Sequence, residues 1–465
     1  MALKPKTVAC ITAGVAITAC VGYVLYFDYQ RRNNPVLRKK MSKCQKEKKK
    51  AEKEIQKAQE KVKLNVLQVI DSVIEAASQE TLPSTPEEKE KYFMQQVALG
   101  EGLCNKGEAF YNDAVLPFFL ALKVYPSPME LIMIYQKTVP APVFQMIVNV
   151  MALDQQKRQN EFYEQFPPKE TNTKLAELPV GTNEEGKPVV RRGLVANRDI
   201  SADEDIYSEE PIVSALFPQL EGLYCNLCLK RLDEGNKVEC SDCDTIAFCS
   251  DECLKHAKNE YHQYLCPKNK QEEETNKDAL EFHENLKKSN KKYPYMIARF
   301  LSAMVVEELS KANEEQKIGE TSFGAWDHVD RFRYLEVAPS DESNEEIEML
   351  KKVLGPKVQG ISEFLSSDVY LMLKGKLLYN AYAISASIEN DVQIEESKEH
   401  ARSTDGQTKH IGAGLYKIST YIGQSEESPN VELRFENNKI TAKALKEIKE
   451  NEELVAAYTL PVSKK

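Results

Sequence analysis

No cysteine follows Cys266 in this chain of 465 residues, and seven of its eleven cysteines crowd between Cys225 and Cys266. Such crowding excludes the dispersed disulfide framework of a secreted protein, and thiolates at metal-ligand spacing need a reducing compartment. Tryptophan is nearly absent, and the lone Trp326 reads as a buried residue rather than a functional one. Nothing in the net charge of −10 indicates a nucleic-acid partner. Charged residues make up 29% and hydrophobic ones 42%, as in soluble proteins, so any membrane-seeking content must be local. The length leaves room for two or three domains, each with its own core.

Charge is missing altogether from Thr7 to Phe27. As a helix this run would extend roughly 31 Å, enough to cross a bilayer core. It exceeds the apolar run of a cleaved signal peptide. Tyr23, Tyr26 and Phe27 suit an interfacial belt. Arg31, Arg32, Arg38, Lys39 and Lys40 outweigh Lys4 and Lys6, which keeps the C-terminal side in the cytosol. Residues 1–30 are therefore read as a single-pass signal anchor. Residues 31–83 form a basic stalk, with eleven lysines and four glutamates between Lys39 and Lys63. Residues 1–63 hold 16 Lys and Arg against 5 Asp and Glu, a net of +11 that leaves −21 for residues 64–465. The basic collar suits anionic membrane lipid, and the acidic remainder suits basic ligands.

Residues 84–165 read as a helical-hairpin module. Thr85-Pro86-Glu87-Glu88 is a helix start, and glycines from Gly102 to Gly107 stop it. A second helix runs from Glu108 to Tyr125, and Pro128 opens a third with Leu131, Ile134, Tyr135 and Thr138 on one face. The first pair has the length of one tetratricopeptide-like unit. Phe93, Met94 and Val97 would line one wall of an apolar groove, and Leu131, Ile134, Tyr135 and Thr138 the other. The same spacing also fits a plain packed core, and periodicity does not separate the two.

Lys91-Tyr92-Phe93-Met94, Leu99-Gly100-Glu101, Pro140-Ala141-Pro142-Val143-Phe144-Gln145 and the stretch Tyr26–Pro35 resemble the MAS/TOM twenty-kilodalton receptor family of the mitochondrial outer-membrane translocase. The resemblance covers about residues 1–165. It implies a receptor whose groove, at the seven positions above, binds mitochondrial presequences. Its partners would be other translocase subunits and membrane lipid, with the C-terminal domains in the cytosol.

Phe166-Pro167-Pro168 opens an expected linker over residues 166–180. Arg191–Ile200 and Asp205–Pro211 read as two short strands around a turn, within a segment spanning 181–224. Then come Cys225-x2-Cys228, Cys240-x2-Cys243, Cys249-x3-Cys253 and His262-x3-Cys266. Eight soft or borderline ligands in close pairs will hold two Zn²⁺, and filled coordination makes both structural. His256 competes with His262, whose spacing to Cys266 is the better. Lys268–Lys292 reads as a charged connector, and Tyr295–Leu309 and Ile347–Ala383 as mostly helical, with Ile361, Leu365, Leu371, Leu373, Leu377 and Leu378 as core. Glu395–Gln407 is a polar loop. Val431, Leu433 and Phe435, then Ile440, Ala442 and Ala444, alternate as a hairpin around Glu436–Lys439.

The 225–266 segment resembles a MYND finger. That family's wiring implies one ion on Cys225, Cys228, Cys249 and Cys253, and the other on Cys240, Cys243, His262 and Cys266. Arg192-Gly193-Leu194, Gly412–Tyr416, Ser428-Pro429-Asn430 and Glu452-Glu453-Leu454 before Tyr458 resemble the SET-and-MYND protein lysine methyltransferases. The implied architecture is multidomain: a transmembrane helix, an all-α tetratricopeptide-like receptor domain, then an α+β SET domain. The SET parts would be 181–224 and 409–461, interrupted by the zinc finger and by a helical insert with connectors over 267–408. An active enzyme of that family would use S-adenosylmethionine, with Tyr458 bordering the transfer site. Three departures weigh against it. Arg191-Arg192-Gly193 replaces a Gly-x-Gly, Gly423-Gln424 replaces an Asn-His pair, and the cysteines of a post-SET cap are missing. The favoured expectation is a receptor with a degenerate SET extension, and the alternative is a membrane-anchored lysine methyltransferase.

Overall fold

A computed structural model describes residues 66–83, 86–125, 128–182, 186–233, 235, 237–270, 275–313, 323–358, 361–385, 399–404 and 410–459. The expected anchor at Thr7–Phe27 and most of the stalk lie outside them. Among the described residues no helix is long and apolar enough to cross a membrane. The chain divides into two compact units, Met1–Gln156 and Lys157–Lys465.

The first unit is helical: α1 (66–79), α2 (Pro86–Asn105), α3 (Tyr111–Val124), α4 (Pro128–Thr138) and α5 (Ala141–Gln165). The turns of α5 from Lys157 onward belong to the second unit. The α2–α3 connection is tight because Gly107 adopts φ 104, a value open to glycine. Phe93 meets Tyr125 with ring centroids 4.9 Å apart, and Gly100 faces the Phe118 ring. Early residues of one helix thus meet late residues of the other, as in an antiparallel hairpin. The apolar α3 is enclosed, with Ala114, Val115, Phe118, Phe119, Leu120 and Leu122 buried among residues of α1, α4 and α5. The sequence anticipated a second helix from Glu108, but Glu108–Phe110 is a separate 3₁₀ turn.

The second unit is α+β. Its expected linker is in part a strand: β1 (Thr173–Thr182) pairs antiparallel with β2 (Pro188–Ala196). β3 (Asp205–Glu209) does not return along β2 as anticipated. It pairs instead with β11 (Lys439–Ala444), which forms the anticipated hairpin with β10 (Val431–Glu436). The larger sheet runs β3-β11-β10-β12-β9, where β9 is Gly423–Gln424 and β12 is Val455–Ala456. β12 lies parallel to both neighbours, so residues 419–424 and 453–458 come side by side. β4 (Val213–Leu216), β8 (Gly412–Leu415) and β7 (Tyr382–Ile384) make a second, fully buried sheet. A two-stranded ribbon, β5 (Val238–Glu239) with β6 (Ala247–Phe248), precedes the short helix α6 (Asp251–Ala257).

Helices α7 (Lys277–Ser289), α8 (Tyr293–Asn313), α9 (Ala325–Asp330), α10 (Asp341–Leu354) and α11 (Ser367–Asn380) complete the unit. α7 overturns the expected connector. Its charges share the helix with Ala279, Phe282 and Leu286, which are buried on one face. Trp326 is half-buried, packed on Phe300 and Phe364. Of the expected core, Ile361, Leu365, Leu371, Leu373 and Leu377 are buried, and Leu378 is half-buried. The buried Glu346 carboxylate of α10 ties α11 and the α7–α8 connection together, receiving Lys291, Lys374 and the Tyr370 hydroxyl. Charges this deep persist only when paired and hydrogen-bonded.

Candidate functional sites

The seven groove residues separate by depth. Leu131 (3% exposed) and Tyr135 (2%) point into the helical core, where Tyr135 packs edge-on to Phe118. Burial pushes the Tyr135 hydroxyl well above its usual range. Phe93 and Val97 are half-buried, whereas Met94 (63%) and Ile134 (49%) stand in the open. Thr138 is exposed, its hydroxyl donating to the Ile134 carbonyl at 3.0 Å. Leu99, Met129 and Met133 are also exposed, and the helical spacing had not singled them out. Glu87, Glu90 and Lys91 line a shallow depression along α2 with Met94. Water-facing methionine and leucine beside carboxylates are chemically suited to the apolar face of a basic helix.

The cysteines and His262 gather into two sets of four. Cys225, Cys228, Cys249 and Cys253 form one, and Cys240, Cys243, His262 and Cys266 the other, with ligand atoms in each set within 4.8 Å of one another. This is the interleaved pairing that the MYND resemblance implied. In the first set Cys249 Sγ lies 3.6 Å from both Cys228 Sγ and Cys253 Sγ. Zinc–sulfur bonds of about 2.3 Å in a tetrahedron require roughly 3.8 Å. In the second set His262 Nε2 stands 3.3 Å from Cys240 Sγ and 3.7 Å from Cys243 Sγ. The donors thus fit a metal ion at each position. His256 stands apart, exposed and paired with Glu260. Local structure sets part of this up: Cys240 directly follows β5, Cys249 directly follows β6, and the Ser250 hydroxyl accepts from the Cys253 N–H to cap α6.

A cavity of about 390 Å³ opens in the second unit where residues 419–424, 453–458 and β2 converge. Its charged lining is all of one sign: Arg191, Arg192, Arg331, Arg333 and Arg402. Arg402 is fully buried and sits against the rings of Tyr379, Tyr382 and Tyr458. It donates to the carbonyls of Tyr379 and Thr420, the Tyr382 hydroxyl and Asn380 Oδ1, and among the described residues to no carboxylate. Arg191 pairs with Glu453, whose carboxylate packs over the bare Cα of Gly423. Tyr458 is buried, and its hydroxyl donates to the Ile422 carbonyl at 3.0 Å. Burial holds that hydroxyl above the usual tyrosine range despite Arg402 nearby. Sequence reasoning placed Arg191, Arg192, Gly423, Gln424 and Tyr458 together but missed Arg331, Arg333 and Arg402. The alternating Arg331-Phe332-Arg333 was the one local trace of them.

Residues 10–164 match the model of the MAS20 protein import receptor family. A mitochondrial import receptor subunit tom20 of Neurospora crassa is 38% identical over 154 residues, covering 33% of this chain and 83% of that protein. A SET and MYND domain-containing protein of Dictyostelium discoideum is 22% identical over 262 residues, covering 55% of this chain and 68% of that one. Among solved structures, the SET domain of LSMT bound to lysine and AdoHcy matches at 12% identity with a TM-score of 0.24. That match covers 66% of this chain and spans about half, 53%, of that one. The chain therefore belongs to the MAS20 family of protein import receptors, its receptor part fused to a SET-and-MYND region.

Proposed function

We propose that this protein is a mitochondrial outer-membrane receptor that binds basic, amphipathic presequences and passes preproteins to the translocase. The observation that carries this is the exposure of Met94 and Leu99 on α2 and of Met129, Met133 and Ile134 on α4, beside a packed helical core. They, with Phe93, Val97 and Thr138, make the contact surface, while Leu131 and Tyr135 hold its floor. Residues 1–30 anchor the chain, and the basic stalk meets anionic lipid. The two ligand sets hold structural Zn²⁺ that fixes the finger. The SET region serves as a scaffold without methyl transfer: the Tyr458 hydroxyl is committed to a backbone carbonyl, and the cavity is crowded with guanidinium groups.

The test is fluorescence anisotropy of a labelled basic amphipathic peptide with the full chain. Met94→Asp and Ile134→Asp should each weaken binding by about tenfold while leaving the unfolding temperature unchanged. Leu131→Asp should instead unfold the first unit, since it buries a charge in the core. Unchanged affinity in folded Met94 and Ile134 variants would remove the surface assignment.

A further inference from the structure

The cavity beneath Tyr458 is unsuited to a cationic cofactor, and its chemistry selects a different class of ligand. S-adenosylmethionine carries a sulfonium and an ammonium against a single carboxylate. Five guanidinium groups line this cavity, and no acidic side chain does. Three of them have nearby carboxylates: Glu453 for Arg191, Glu177 for Arg192 and Asp327 for Arg331. Asp327 is itself shared with Arg158. Arg333 and the buried Arg402 have none among the described residues. A cleft of one sign, walled by protein, concentrates the opposite charge. Guanidinium forks match phosphate oxygens in geometry as well as in charge.

Two further groups await a partner. Among the described residues the buried Tyr421 hydroxyl and Arg331 Nε have no hydrogen-bond partner, and both side chains belong to residues that line the cavity. A buried donor left unmade costs stability unless a ligand takes it up. Tyr163, Tyr379, Tyr421 and Tyr458 supply aromatic surface, with the Arg192 guanidinium 3.6 Å from the Tyr163 ring centroid. The volume suits one small molecule rather than a polymer. We infer that this cavity binds a nucleoside polyphosphate, with its phosphates on the arginines and its base against the tyrosines.

This goes beyond the receptor reading and does not depend on it. The experiment is calorimetric titration of the zinc-loaded full chain in detergent, in magnesium-free buffer, with ATP, inorganic pyrophosphate and S-adenosylmethionine. ATP should saturate, bind about tenfold tighter than pyrophosphate, and outbind S-adenosylmethionine by about a hundredfold. Arg333→Gln and Arg192→Gln, at exposed or half-buried positions that leave the core intact, should each weaken ATP about tenfold at an unchanged unfolding temperature. S-adenosylmethionine or pyrophosphate binding as tightly as ATP overturns the inference, as does ATP affinity unmoved by both variants. Presequence affinity, measured on the same samples, keeps failure here separate from failure of the receptor reading.

Discussion

His328 sits between the rings of Phe162 and Phe166, nearly sealed from water, and its Nδ1 has no hydrogen-bond partner among the described residues. Burial first, then Lys417 and Arg331, push its pKa down to about 3 against the opposing pull of Asp327. Unfolded, the ring titrates near its ordinary value of about 6.5. Below that pH the unfolded chain takes up a proton that the folded one refuses, so stability is full above it and falls as the pH drops toward 3. Between pH 6.5 and 5.5 the loss should be about 1 kcal/mol. Urea unfolding of the native chain and of His328→Phe at both values checks this: the difference between the two proteins should shrink or reverse with acid, and a constant difference would contradict it. None of this was legible in the sequence, where His328 is one of six histidines with no motif around it. Its environment comes from α5 and residues 417–421, which are remote in the chain.

At the scale of elements, the α2–α3 hairpin depends on one close approach. A Cβ placed on Gly100 would lie 2.8 Å from Phe118 Cζ, and that ring is locked against Tyr135. Gly100→Ala should destabilise the first unit by about 1–3 kcal/mol, read as a lower thermal midpoint, because overpacking forces buried rings off their rotamers. The two candidate metal-ligand sets are separate, and each should fail alone. Cys225→Ser and Cys266→Ser should each lower the metal content from two zinc ions per chain to one by mass spectrometry. Loss of both ions from either variant would mean that the sets are not independent. Cysteine spacing made this element readable from the sequence. The charged helix α7 was not readable, because its buried Ala279, Phe282 and Leu286 are diluted by surface charge.

Over the whole molecule, charge is divided between a basic N-terminal collar and a remainder that carries −21. A basic presequence should therefore feel attraction beyond its apolar contacts, with Glu87 and Glu90 lining the depression at Met94 and Lys91 offsetting part of their charge. Raising sodium chloride from about 50 to 300 mM should weaken peptide binding by roughly threefold to tenfold, since exposed charges are screened. An affinity that ignores salt would leave the contact purely apolar. By itself the sequence marked the residues of the two candidate metal-ligand sets, the β10–β11 hairpin, the helical hairpin and the kinship of both parts. Each of these rests on spacing within a short stretch, where periodicity and residue chemistry act locally. Only the tertiary structure decided that Leu131 and Tyr135 turn inward while Met94 and Ile134 stay in water, because the covered face depends on helices distant in the chain. It alone also brought Arg191, Arg192, Arg331, Arg333 and Arg402 around one cavity. Their sequence separation hides that convergence, and their shared charge gives the cavity its chemistry.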